Sequence, residues 1–166
     1  YPLHEGYPER PMRQHLLHYF AAEMGLHSDA LSELTLPRPA RPAGLPAHYA
    51  TLQAQAGWSV YKNWPRSRWE ALLGACADIP VFQLGKADEP PIAGARHDFI
   101  GCSISTAVAL VANATLHLGV DSFASHLTHY RWRGDDGSLS RTRGVIVWGS
   151  TQPSALGYPH NVYKDA

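Results

Sequence analysis

The chain has 166 residues, 45% of them hydrophobic, and its 14 basic residues balance its 14 acidic ones. This length is enough for one domain with a core, or for one domain with part of another. The balanced charge argues against a polybasic nucleic-acid surface and against an acidic disordered tail. No apolar run approaches the roughly 20 residues that cross a bilayer, and no secretory signal is recognisable.

The two cysteines, Cys76 and Cys102, lie in apolar stretches with helical patterns. This setting predicts buried, reduced thiols and a cytoplasmic protein, and a disulfide between them is the less favoured alternative. Because the chain begins at Tyr1 rather than at a methionine, we expect the natural N-terminus to lie upstream.

The first part of the chain predicts a flanking helix and a linker. From Met12 to Leu26 the apolar residues recur at helical spacing, and residues 36–47 contain four prolines. Proline interrupts helices and sheet interiors, so the proline-rich segment predicts a linker and a domain boundary. The division is therefore residues 1–35, the linker 36–47, and a main domain over 48–166.

Strands and helices alternate after the linker. The predicted strands are 48–55, 79–84, 115–119 and 144–149, with a short one at 98–100. The predicted helices are 66–76, 103–112 and 125–130, and the predicted loops are 57–65, 85–97 and 133–143. This alternation predicts an α/β fold, in which a mostly parallel sheet carries helices on both faces.

The stretch from Ala114 to His126 is the most informative, because it combines a predicted strand, a polar turn and a helix start. The first N–H groups of a helix lack partners within the helix, and its dipole is positive there, which favours an anion. Ser122 can donate to a phosphate oxygen, and His126 lies one helical turn further on. Asp121 suits a sugar hydroxyl or the backbone of the turn. The pattern predicts a site for a phosphorylated ligand such as a nucleotide-sugar, with plain helix capping as the alternative.

Charged loops after the first two predicted strands add further candidates. Lys62 lies just before a helix start, where a cation opposes the helix dipole unless an anion is bound. Ser59 could add a donor, although the loop lacks the Gly-Lys-Ser/Thr ending of a phosphate-binding P-loop. Asp88 and Glu89 follow the second strand and could accept hydrogen bonds from ribose hydroxyls. A solvated lysine and a charged surface turn are the alternative interpretations.

Other chemistries are only weakly indicated. His126 and His129 share a predicted helix, but no third ligand is suitably spaced and no Cys-x-x-Cys occurs, so no metal is expected. The Gly-x-Ser-x-Gly signature of serine hydrolases is missing. The basic and aromatic run at residues 130–133 is too short to predict nucleic-acid binding.

Several motifs occur in a characteristic order between about residues 48 and 163. They are Lys62-Asn63-Trp64-Pro65 followed by Trp69, Val81-Phe82-Gln83-Leu84-Gly85, Asp98-Phe99-Ile100-Gly101, Asp121-Ser122-x-x-x-His126, and Trp148-Gly149-Ser150-Thr151-Gln152-Pro153. In order and spacing they resemble the C-terminal half of family 9 glycosyltransferases, the ADP-heptose:lipopolysaccharide heptosyltransferase group. The resemblance implies a GT-B fold, in which a Rossmann-like C-terminal domain holds the nucleotide-sugar. Residues 1–35 would then be the end of the N-terminal acceptor domain, or a flanking helix.

The resemblance also assigns roles by position. Lys62 would contact the donor phosphates, and Asp121 would contact the transferred sugar or orient the phosphate turn. The pyrophosphate would be cradled by a set of neighbouring groups, namely the Ser122 side chain, the backbone N–H groups of Phe123, Ala124 and Ser125, and His126. Asp88 or Glu89 would approach the ribose or the base.

The implied activity is that of an inverting, metal-independent glycosyltransferase that needs no cofactor. It would move a sugar, heptose in this family, from a nucleotide-sugar such as ADP-heptose to a glycan or lipopolysaccharide acceptor. The catalytic base would lie outside this segment, in a missing N-terminal domain, and a second copy of the chain is another expected partner. The expected location is the cytoplasm or the face of the inner membrane. The alternatives are a non-catalytic nucleotide-sugar-binding or interaction module, and a GT-B sugar-nucleotide epimerase.

Three features depart from the family pattern and leave the donor sugar and base open. Phe123 stands where the family usually has glycine, and its side chain narrows the approach of a phosphate unless the ring points away. Gly57-Trp58 replaces a hydroxyl pair, which leaves Ser59 as the hydroxyl of that loop. The loop at 133–143 is longer than the usual connection.

Overall fold

The structure is a computed structural model that describes residues 15–25, 34–57, 60–76, 78–149 and 153–165. The helices within these ranges are α1 Leu16–Glu23, α2 Arg66–Ala75, α3 Ile104–Ala112, α4 Phe123–Leu127 and α5 Pro153–Leu156, with a 3-10 turn at Val60–Lys62. The strands are β1 Thr35–Pro37, β2 Ala50–Gln53, β3 Val81–Leu84, β4 Leu116–Val120, β5 Arg131–Arg133, β6 Leu139–Ser140, β7 Arg143–Trp148 and β8 Val162–Asp165. Among the described helices, none is long and apolar enough to cross a membrane.

The main sheet has five parallel strands in the order β3-β2-β4-β7-β8. The chain starts in the sheet at β2, steps outward to β3, and then returns to the other side of β2 to form β4. The direction of winding therefore reverses between β2 and β4, and ligands of open α/β sheets bind at such a reversal, beyond the carboxyl ends of the strands. The predicted fold class, α/β and Rossmann-like with a mostly parallel sheet, is confirmed.

Helices cover both faces of this sheet, as predicted. Successive side chains of a strand point to opposite faces, so the buried strands supply two separate cores. On one face, Leu52 and Leu118 pack with Trp69 and Leu73 of α2. On the other, residues of α3 and α4 pack with Tyr49, Phe82 and Leu84. The two cores hold the carboxyl ends of β2 and β4 side by side.

A second, smaller sheet has the order β1-β5-β6. Its strands β5 and β6 form an antiparallel hairpin, and β7 begins at Arg143, so the prediction of a loop over residues 133–143 is wrong at Arg133, Leu139–Ser140 and Arg143. Strand β1, at the start of the proline-rich segment, pairs in parallel with β5. Further on, Asn113 Nδ2 donates to the carbonyl oxygen of Pro39 at 3.1 Å. Residues 34–47 therefore pack on the main domain, and the domain boundary itself stays a prediction.

Other elements differ from prediction in extent or in kind. Ile100 makes only an isolated bridge with Gly85, so the predicted strand at 98–100 is wrong. Helix α4 begins at Phe123 rather than at residue 125. The predicted helix from Met12 to Leu26 is present as α1 within the described residues, and Gly25 follows it with a positive φ of 66°.

The cysteines also differ in part from expectation. Both are free thiols. Cys76 is exposed and Cys102 is half-buried, so the predicted burial of both is wrong. Cys76 lies at the C-cap of α2, beyond the apolar face that carries Trp69 and Leu73 into the core.

Candidate functional site

The turn between β4 and α4 lies at the carboxyl edge of the sheet, where the winding reverses. Ser122 is the N-cap of α4 and has extended backbone angles. The Ser125 hydroxyl donates to the Ser122 carbonyl oxygen at 2.6 Å and accepts from the Ser122 amide at 3.3 Å. The Ser125 hydroxyl therefore ties the first turn of α4 to the N-cap backbone, which is a capping role of the kind that the sequence left open beside ligand binding.

Gln53, the last residue of β2, fixes this turn from the neighbouring strand. Its side-chain Oε1 accepts from the Ala124 amide at 3.1 Å, and its Nε2 donates to the Ser122 hydroxyl at 3.1 Å. Sequence reasoning missed Gln53. The available signal was a polar residue near the carboxyl end of a predicted strand, where ligands of such sheets bind.

The amides of the turn are largely occupied by the protein itself. Those of Ser122, Ala124 and Ser125 donate to Ser125 Oγ, Gln53 Oε1 and the Ser122 carbonyl oxygen. Among the described residues, the Phe123 amide has no such acceptor. Because α4 has only five residues, its dipole is also weaker than that of a long helix. An anion at this turn would therefore depend on a side-chain cation.

Lys62 supplies that cation. Its Nζ lies 2.6 Å from Asp121 Oδ2, and both side chains are almost fully buried, at 6% and 2% exposure. The same Nζ is 3.5 Å from the Asp121 carbonyl oxygen. The sequence predicted these two residues as members of one site, and the structure brings them together across 59 positions of the chain.

The 3-10 turn that carries Lys62 is fixed from two sides. Asn63 Oδ1 accepts from the Ala56 amide at 2.7 Å, which closes the loop that follows β2. On the other side the turn passes directly over Gly149, just beyond β7, where any Cβ would collide with the Tyr61 carbonyl oxygen. The Tyr61 side chain itself is 80% exposed. The backbone thus directs Lys62 inward while its neighbour faces solvent.

His126 stands beside this ion pair. Its Nδ1 lies 2.8 Å from the hydroxyl of Tyr158, a residue that sequence reasoning missed. Burial lowers the pKa of His126, the carboxylate of Asp121 opposes that shift, and the Lys62 ammonium adds to it. The ring is therefore neutral near pH 7 and available as a hydrogen-bond donor.

Glu89 lies at the carboxyl end of β3, on the same edge of the sheet. Its Oε1 accepts from the Lys86 amide at 3.0 Å, and its carboxylate lies where a side chain on Gly85 would have to go. Burial raises the pKa of Glu89, although the Lys86 amide and ammonium oppose the shift. Asp88 is exposed. These contacts of Glu89, with Lys86 and Gly85, are within its own loop rather than with the Lys62–Asp121 pair.

The remaining predicted site residues divide by exposure. Phe123 is 45% exposed, whereas Ala124 and Ser125 are buried. Ser59 and Trp58 lie outside the described residues. In the described part of the chain, no group of three or more His, Cys, Asp or Glu side chains is placed to hold a metal ion.

Comparisons with known proteins find related folds among solved structures only. No family model and no curated protein sequence matches the chain. Among solved structures, E. coli heptosyltransferase WaaC with ADP matches with a TM-score of 0.56 at 21% identity, over 76% of this chain and 40% of that one. The iron-containing dodecameric glycosyltransferase TibC from enterotoxigenic E. coli H10407 matches with a TM-score of 0.55 at 20% identity, over 75% of this chain and 34% of that one.

A third solved structure, E. coli ADP-heptose LPS heptosyltransferase II, matches with a TM-score of 0.51 at 15% identity, over 89% of this chain and 41% of that one. The chain therefore spans less than half the length of each of these structures. At these identities the likeness shows the fold alone: this chain shares its α/β architecture with part of each of these three structures.

Proposed function

We propose that this chain is the donor-binding, C-terminal portion of a GT-B glycosyltransferase, and that it holds the diphosphate of a nucleotide-sugar beside Lys62. The observation that carries the proposal is the buried pair of Lys62 and Asp121 at the carboxyl edge of the sheet, where the direction of winding reverses between β2 and β4. Ligands of such sheets bind at this place. The likeness to WaaC, which was solved with ADP and with ADP-2-deoxy-2-fluoro heptose, supports a nucleoside diphosphate sugar as the ligand class.

Lys62 supplies the positive charge that the short helix α4 lacks. An ammonium has three donors, so Lys62 can keep its bond to Asp121 and donate to a phosphate oxygen as well. The Ser122 hydroxyl, the Phe123 amide and the His126 ring complete the donor set around the diphosphate. Asp121 acts mainly by holding Lys62, since its Oδ2 already accepts from Nζ at 2.6 Å.

The transfer itself would be inverting and independent of metal. A carboxylate outside this segment deprotonates the acceptor hydroxyl, whose oxygen attacks the anomeric carbon. The bond between that carbon and the phosphate oxygen breaks, and the electron pair leaves with the nucleoside diphosphate. Lys62 and His126 stabilise the charge that develops on the leaving group. The acceptor would be a glycan or a lipid-linked sugar, bound by another domain or a second copy.

Glu89 and Asp88 belong to the nucleoside end of this proposal. They follow β3, the strand next to β2 on the side away from the Lys62–Asp121 pair. The Glu89 Oε2 is buried without a hydrogen-bond partner among the described residues. A ribose hydroxyl that donates to this oxygen would satisfy it.

Calorimetric titration with ADP, UDP and GDP tests the proposal. The informative comparison is D121N, which keeps the Lys62 ammonium, against the double variant K62M/D121N, which removes it. Loss of the ammonium should weaken binding of the preferred nucleotide by about 1–3 kcal/mol. The control K164A removes a lysine from exposed β8 and should bind like the wild type.

Equal affinities in D121N and the double variant, with both folded by circular dichroism, would reject the site. Nucleotide binding without sugar transfer, measured with the acceptor domain supplied, would instead favour the non-catalytic binding module.

A further inference from the structure

We propose that Tyr158 is a positioning residue for His126: its hydroxyl fixes the imidazole tautomer that presents an Nε2–H donor to the ligand diphosphate. This inference rests on the proposed function and deepens it, because it assigns the state of one donor in the site. It starts from the contact between Tyr158 Oη and His126 Nδ1 at 2.8 Å. The two rings meet edge to face, with centroids 5.7 Å apart and planes at 86°.

Tyr158 is itself held from two directions. Its ring stacks on that of buried His129, with centroids 4.2 Å apart and planes at 17°. Its backbone is clasped by one side chain, since the Tyr163 hydroxyl donates to the Tyr158 carbonyl oxygen at 2.8 Å and accepts from the Tyr158 amide. These contacts fix the position of the Tyr158 hydroxyl, so the hydroxyl determines which protonation of His126 Nδ1 is favoured.

The direction of the hydrogen bond follows from the chemistry of the two groups. Burial raises the pKa of Tyr158 well above its usual range, so the phenol keeps its proton. Burial lowers the pKa of His126, so the imidazole is neutral and has one donor and one acceptor nitrogen. A phenol is the better donor and an imidazole nitrogen the better acceptor. The phenol therefore donates to Nδ1, and the ring proton is left on Nε2.

The surroundings of His126 explain why this fixation matters. The charges of Lys62 and Asp121 act on the ring from the ion pair that follows β2 and β4. An imidazole with its proton on Nδ1 would turn an unprotonated Nε2 toward the ligand, and that nitrogen would repel phosphate oxygens. The tautomer thus decides whether His126 attracts or repels the diphosphate.

The test uses Y158F, which removes the hydroxyl and keeps the ring. The matched control is Y49F, which also loses a buried phenol bond, from Tyr49 Oη to the Leu110 carbonyl oxygen at 2.7 Å, on a different part of the fold. Long-range proton–nitrogen NMR correlations report the His126 tautomer, and calorimetry reports ADP affinity. We expect the Nε2–H form in the wild type and in Y49F. In Y158F we expect a mixture of tautomers and about fivefold weaker ADP binding.

The inference is overturned if the wild-type ring carries its proton on Nδ1, or if Y158F leaves the tautomer unchanged. It is also overturned if the tautomer shifts while ADP binds Y158F and wild type equally. Failure of the wild type to bind any nucleotide overturns the proposed function instead, and the NMR readout still decides whether Tyr158 sets the tautomer.

Discussion

Removing one charge of the Lys62–Asp121 pair should destabilise the protein strongly, and removing both should not. At 2.6 Å and an effective dielectric constant of about 20, two unit charges attract by about 6 kcal/mol, and desolvation of both groups offsets most of this. Each single variant, K62M or D121N, removes one partner of this buried ion pair, which typically costs about 3–5 kcal/mol. The double variant removes both charges of the pair, and its free energy of unfolding should lie within about 2 kcal/mol of the wild-type value.

The wild type, the two single variants and the double variant form a double-mutant cycle. Urea unfolding followed by circular dichroism measures the free energy of unfolding of each protein. Because the two single losses together exceed the loss in the double variant, we expect a coupling energy of at least about 4 kcal/mol between the two sites. The solvent-exposed Arg66–Glu70 pair, with 2.7 Å between Nε and Oε1, is the internal control, and E70Q should leave the free energy of unfolding nearly unchanged. A coupling energy near zero for Lys62 and Asp121 would refute the reasoning, because the pair would then behave like a solvated surface pair.

Three further predictions concern the elements around the site. G149A should cost about 1–3 kcal/mol, because its Cβ collides with the backbone of the Lys62 turn, whereas G74A, in open space within α2, should be neutral or stabilising in the same urea assay. Burial lowers the pKa of His117 to about 3, against about 6.5 in the unfolded chain. Above about pH 6.5, His117 is neutral in both states and does not lower the free energy of unfolding. As the pH falls from 6.5 toward 3, the imidazole binds a proton in the unfolded chain but not in the folded protein, so the free energy of unfolding falls. The wild type should lose about 1.4 kcal/mol per pH unit more than H117Q over that window; parallel pH profiles of the free energy of unfolding would contradict this. Q53L should cost about 1–3 kcal/mol, since it leaves the Ala124 amide without its acceptor, and an unchanged urea midpoint would count against that role.

Local patterns in the sequence were enough for four of the five strands of the main sheet and for choosing Lys62 and Asp121 as candidates. The apolar strands β2, β3, β4 and β7 and the amphipathic helix α2 have short-range signals, so their alternation predicted a parallel sheet with helices on both faces. Lys62 and Asp121 could be chosen as candidates because each follows a predicted strand of that sheet. Their direct contact could not be predicted, because it depends on how tightly the Lys62 turn packs over Gly149.

The elements that were missed depend on long-range pairing. Strand β1 ends at Pro37, which lowers its strand propensity, yet the strand lies at the edge of its sheet, where proline is tolerated. Strand β8 is an edge strand of mixed polarity without an alternating pattern strong enough to detect. Gln53 and Tyr158 are neutral polar residues whose roles come entirely from their partners in the fold.

The most direct test of the central claim is a crystal structure of the protein with ADP. We expect a diphosphate oxygen about 2.7–2.9 Å from Lys62 Nζ, between the Ser122 turn and His126. ADP bound at another edge of the sheet, or with its diphosphate directed away from Lys62, would contradict the central claim.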